Sequence, residues 1–129
     1  MPDTGNPGDL IEAIRGLIRE KDPRYPLDAY RFVYEALDET LRGIGKRRHV
    51  TGRELLDGVR RTGLKRFGPL AKMVFNHWNI RRTDDFGEIV FNLVERGLMS
   101  KNDEDSRDDF REVFDFDEAF VNAPLEEGD

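Results

Sequence analysis

The chain has 129 residues, 37% of them charged and 37% apolar, with a formal net charge of −6 and no cysteine. That length suits one domain with its own core, and the missing thiols exclude a disulfide framework, a thiolate metal site and a cysteine nucleophile. No apolar run reaches the ~18 residues of a membrane span, and the opening MPDTGNPGD lacks the basic and apolar regions of a signal peptide, so a cytoplasmic protein is expected.

Residues 1–8 and the acidic end 122–129 are expected to be disordered, around a single globular domain over 9–121. Asp9 and Glu12 open a first helix whose Leu10, Ile11, Ile14, Leu17 and Ile18 recur at the spacing of one face. KDPRYP breaks it, since proline removes a backbone donor and biases its predecessor toward extended conformations. Asp28 is expected to cap the second helix, with Tyr30, Val33, Leu37, Leu41 and Ile44 as its buried stripe and Gly45 as its stop.

After the basic loop KRRH, Thr51 and Glu54 form a capping box at the start of a third helix, with Leu55, Leu56, Val59, Gly63 and Phe67 on one side. Gly68 and Pro69 end that helix and begin a fourth, over 69–78, whose inner face is predicted as Leu70, Met73, Val74, His77 and Trp78. Thr83, followed by two acids that suit the positive end of a helix dipole, begins a fifth with Phe86, Ile89, Val90, Leu93 and Val94 inside and Gly97 at its end.

From residue 98 the period shifts toward 2. LMSK reads as a short strand, NDEDSRDD as a polar turn, and FREVFDF places Phe110, Phe114 and Phe116 on one face, which predicts a β-hairpin. The expected fold is thus mainly α, of the α+β class: about five helices and a C-terminal hairpin. Residues 9–45 supply the two N-terminal helices, and 51–116 have the helix and wing order of a winged helix.

Charge is distributed in blocks. Residues 42–82 hold twelve basic and two acidic side chains, whereas 83–129 hold four basic and sixteen acidic. The basic belt of residues 46–82 offers Arg47, Arg48, His49, Arg60, Arg61, Lys65, Arg66, Arg81 and Arg82 as an anion- or partner-binding surface. It can equally be a solvated face paired with the chain's own acidic C-terminal part. DNA docking in the usual winged-helix manner is disfavoured, because Asp84, Asp85, Glu88 and Glu95 on the recognition helix and five acids in the wing would face phosphates.

No catalytic chemistry is legible. His49 and His77 stand outside any metal-ligand pattern, and His77, on an apolar stripe, reads as a packed histidine. NDEDSRDD puts Arg107 where a calcium loop needs a ligand, Ser100 and Ser106 lack a local nucleophile motif, and no phosphate-cradling glycine loop is present. Phe75 and Phe91 fall off the main stripes and are candidate interface aromatics unless the N-terminal helices cover them.

The segments HVTGRELLDGVR, FGPLAKMVFNHWNIRRTDDFGEIVFNLVERGLMSK and DDFREVFDFDEAF resemble an uncharacterised family of small bacterial proteins of planctomycete and verrucomicrobial type. The resemblance spans about residues 26–120 and is most specific over 83–101. It implies a bacterial, cytosolic setting and carries no activity and no catalytic residue. The expected function is a non-catalytic protein-interaction or adaptor domain with a protein partner or a second copy. The alternative is a nucleic-acid-binding protein that uses the belt rather than the recognition helix. No enzyme activity, cofactor or metal is expected.

Overall fold

A computed structural model describes residues 7–121. Five α-helices form its body: α1 (Pro7–Glu20), α2 (Leu27–Ile44), α3 (Gly52–Phe67), α4 (Ala71–His77) and α5 (Thr83–Glu95). Two 3-10 turns, Gly68–Leu70 and Arg107–Phe110, and a π-helical turn, Asp117–Val121, complete it. The disorder expected for residues 1–6 and 122–129 lies outside the described residues, whereas residues 7 and 8 already belong to α1.

Local signals account for most helix ends. At Gly45 the backbone takes φ 87°, open to glycine without penalty, and its N–H closes on the Leu41 carbonyl at 2.9 Å. The capping box of α3 is complete: Thr51 Oγ1 accepts from the Glu54 N–H at 3.1 Å, and the Glu54 carboxylate accepts from the Thr51 N–H at 3.0 Å. Pro26 precedes α2, so Asp28 lies inside the first turn instead of capping it. At α5 the Asp85 carboxylate accepts from the Arg81 and Arg82 N–H groups at 2.8 and 3.2 Å.

The KDPRYP link is held by a small polar network. Asp22, buried, accepts from Arg24 Nε at 2.9 Å, from the Arg24 N–H at 3.0 Å and from Asn92 Nδ2 of α5 at 2.8 Å. These bonds hold its carboxyl well below the usual carboxylate range, Arg24 first. Tyr25 donates to Asp85 at 2.7 Å and Arg24 to Glu88 at 3.2 Å, so the turn is tied to α5 at three places.

The core is aromatic at one end. Phe75 of α4 is fully buried and meets Phe32, Phe120, Phe86 and Phe116 at ring-centroid distances of 5.2, 5.3, 5.4 and 5.9 Å. Phe91 is also buried, 6.4 Å from Phe110 and beneath the Arg107 guanidinium. Neither is therefore a surface anchor, contrary to the sequence expectation. On α4 the inward positions are Ala71 and Phe75, one turn apart, whereas His77 is exposed, and so are Leu70 and Met73, which were expected inside.

Beyond α5 the expected hairpin does not form, and no strand occurs among the described residues. The backbone groups a ladder would need are taken by side chains. Thr83 Oγ1 donates to the Phe110 carbonyl at 2.6 Å and accepts from the Val113 N–H at 3.0 Å, while Asp84 accepts from the Glu112 N–H at 3.0 Å. Ser106 and Asp109 cap the Arg107–Phe110 turn between them. The alternating phenylalanines serve different neighbours. Phe110 packs on α3 and α5 where Gly52 and Gly87 leave room, and Phe116 joins the Phe75 cluster. The winged-helix arrangement is thereby overturned: three helices are followed by an irregular strap.

Candidate functional site

A solvent-connected groove of about 450 Å³ lies between the second half of α2, the 46–51 connector, the start of α3, α5 and residues 98–110. Its size is in the range of cavities that hold ligands, about 300–1,000 Å³. Tyr34, Leu37 and Leu41 line it from α2 at i, i+3, i+7 spacing, which puts them on one face. Val90 and Val94, one turn apart on α5, face them with Leu55 of α3. Leu98 and Met99 complete the apolar wall.

Two long-range bonds set this shape. The Tyr34 hydroxyl donates to the Leu98 carbonyl at 2.5 Å, fastening the strap to α2, and burial pushes that phenol up to about 12. His49 Nε2 meets the Asp105 carboxylate at 2.9 Å, which ties the connector to the strap. Asp105 is in turn positioned by the Asn102 N–H, donated to it at 2.7 Å.

The rim is charged, and its charges differ in what they already hold. Arg48 donates to both Glu54 oxygens, at 3.2 and 2.8 Å, and to the His49 carbonyl at 2.7 Å. Together with the Thr51 amide it holds the Glu54 carboxyl down to about 2. The acids bordering the groove are engaged: Asp38 with Arg42 at 2.8 Å, Asp105 with His49, and Asp109 with the Ser106 N–H. Arg47 makes no side-chain hydrogen bond or ion pair among the described residues, and Lys101 donates to two backbone carbonyls and to no carboxylate. The formal charges that line the groove balance, Arg47, Arg48 and Lys101 against Asp38, Asp105 and Asp109.

Of the expected belt, only Arg47, Arg48 and His49 border this groove. Arg60 and Arg61 turn to Asp57 of their own helix, at 3.9 and 3.2 Å. Lys65 and Arg66 reach Glu39 and Glu35 of α2 at 3.3 and 2.6 Å. Arg81 and Arg82 are exposed at the start of α5, far along the chain from the connector. The belt is therefore divided among three places, and its acidic partners come largely from α2 and α3, not from the C-terminal part.

Sequence reasoning assigned the groove's floor to the core. The signal it contained was the length of the α2 stripe: Leu37, Leu41 and Ile44 continue one face past Tyr30 and Val33, and all three stay only half-buried. Ser100 also lines the groove, but among the described residues it makes no hydrogen bond to His49, so a nucleophile–base pair is not assembled. No group of three or more His, Asp or Glu side chains among the described residues is arranged to hold a metal ion. No helix among them is long and apolar enough to cross a membrane. Comparison with known proteins found no matching family model, no matching curated protein and no matching solved structure.

Proposed function

We propose that this protein is a non-catalytic interaction domain that receives part of a protein partner in the groove between α2, α3, α5 and the strap. The observation that carries this reading is the combination of an open aliphatic floor with a charged rim, the anatomy of an interface core and its surround. Tyr34–Leu98 and His49–Asp105 brace the groove from both sides. A partner that enters it need not also order the walls.

Nucleic-acid binding through the belt has less support, because Arg48, Arg60, Arg61, Lys65 and Arg66 already face carboxylates. Each of those pairs would have to open to serve a phosphate.

A photo-crosslinking side chain at Met99 in the producing cell tests the reading, with a second at exposed Arg61 as control. Crosslinks from position 99 into a defined segment of another protein, absent from position 61, are expected. Crosslinks from both positions alike would remove the groove from the account. A second test is a salt series with mixed-sequence DNA and RNA, in which no binding at moderate salt is expected. Micromolar affinity that falls steeply with salt and is lost on Arg60→Glu/Arg61→Glu would replace this reading with the nucleic-acid one.

A further inference from the structure

We infer that residues 100–105 form a small lid at one edge of the groove, latched by His49 on Asp105, and that the charge on His49 sets how firmly the lid is held. The inference rests on the groove reading only for what the lid would regulate; the movement itself does not need it. The segment is fastened at its two ends and loose between them. Before it, the Leu98 N–H donates to the Leu93 carbonyl at 2.9 Å, and the Leu98 carbonyl accepts from Tyr34 at 2.5 Å. After it, Phe110 is buried and its carbonyl accepts from Thr83. Residues 100–105 themselves carry no apolar side chain, and Asp105 alone among them is not exposed.

The hydrogen bonds of this turn close on the turn itself. The Asn102 N–H donates to the Asp105 carboxylate at 2.7 Å, the Asp105 N–H to the Asn102 carbonyl at 3.1 Å, and Lys101 Nζ to the Asn102 and Asp105 carbonyls at 3.0 and 3.5 Å. The turn can therefore swing as a unit and keep those bonds. Among the described residues, its one polar tie to the rest of the chain is His49 Nε2, at 2.9 and 3.2 Å from the two Asp105 oxygens. Ser100, Lys101 and Asp105 line the groove, so releasing that tie moves the groove's edge.

Imidazole changes charge between about pH 5 and pH 8. The cation always presents an Nε2–H to the carboxylate. The neutral ring carries a single N–H, and among the described residues Nδ1 has no partner that would fix which nitrogen bears it. Of the charged groups that border the groove with the ring, Arg47 and Arg48 of its own connector and Lys101 of the turn oppose its charge, while Asp38 of α2 and Asp109 beyond the turn favour it. Glu54 of α3 favours it too but is held by Arg48, and only Asp105 stands at ion-pair distance. A charge-assisted hydrogen bond is roughly twice as strong as a neutral one. The ratio of latched to open lid is therefore expected to fall about fivefold as rising pH removes the proton from His49.

The chain has no cysteine, so a nitroxide attached through Glu104→Cys sits on the turn alone. Paramagnetic broadening of the ¹⁵N-coupled amide signals of residues 38 and 41, across the groove on α2, reports how closely the turn approaches. Broadening is expected to weaken between pH 5.5 and pH 8.5, whereas a label at exposed Arg61→Cys gives a pattern that does not change. Asp105→Asn and His49→Gln are each expected to show the weak, high-pH pattern at both values, with thermal melts showing that they fold. Broadening alike at both pH values in the otherwise unchanged chain would overturn the latch, as would the same pH response persisting in Asp105→Asn. The chain is used by itself, so a failed latch leaves the groove reading to the Met99 crosslinks, and failed crosslinks leave the latch standing.

Discussion

Gly58 offers the sharpest test of how α2 and α3 meet. In an isolated helix Gly→Ala stabilises by about 1 kcal/mol. Here a Cβ at position 58 would lie 1.9 Å from Thr40 Oγ1, 3.1 Å from the Ala36 carbonyl and 3.3 Å from Thr40 Cβ. Thr40 is buried and donates to that same carbonyl at 2.7 Å, so it must either turn and lose the bond or push the helices apart. Overpacking costs about 1–3 kcal/mol and the lost bond about 1 kcal/mol. After the helix-propensity gain, a net loss of about 2 kcal/mol is expected, which is about 8 °C in Tm for a chain of this size.

Urea denaturation followed by circular dichroism measures this directly for Gly58→Ala. The companion Thr40→Ala deletes the obstructing oxygen, so Gly58→Ala made in that background is expected to cost less than about 1 kcal/mol, a coupling of at least about 1 kcal/mol. The two remaining contacts need shifts of only a few tenths of an ångström. A Gly58→Ala protein as stable as the parent, or strictly additive single effects, would refute the contact as the reason for glycine there.

Three further outcomes follow from the same physics. Thr83→Val keeps shape but strips the partner from the Phe110 carbonyl and the Val113 N–H; a loss of about 2–4 kcal/mol is expected in urea titrations, with faster hydrogen exchange at the Val113 amide. Phe75→Ala removes the centre of the aromatic cluster and is expected to cost about 3–5 kcal/mol in the same titrations, more than Phe114→Ala at a half-buried position. The Asp22 carboxyl is depressed from its ordinary 3.8, so its stabilisation is fully present above that value and is lost as pH falls toward the depressed one. Asp22→Asn should therefore lower stability by about 2 kcal/mol at pH 7 and flatten the decline between about pH 5 and pH 2 in thermal melts.

Much of the local architecture was legible in the chain. The Thr51 capping box, the glycine stops at 45 and 97 and the stripes of α1, α2, α3 and α5 depend on residues within about four positions of one another. The strap was misread because alternating phenylalanines predict a strand only if they share one partner surface. Phe110 and Phe116 instead go to opposite neighbours, and Thr83 and Asp84, about 30 residues earlier, occupy the backbone between them. Phe75 left its helix stripe for a similar reason: α4 is too short to define a face by itself, and the surrounding aromatic rings decide which side is inside.

The groove was still less visible. Its floor consists of the apolar residues that mark a core, and its opening depends on where α3 and the strap cease to cover α2. Likewise the basic block was plain in the composition, whereas its partners were not, since Glu35 and Glu39 lie some 26–31 residues from Lys65 and Arg66. Sequence alone determined most of the helix ends, and how much charge the chain carries, because caps and periodicity act within a turn or two. Only the tertiary structure decided which aromatics are buried, which cations remain unpaired and where an apolar wall stays open, because those outcomes depend on residues brought together from distant parts of the chain.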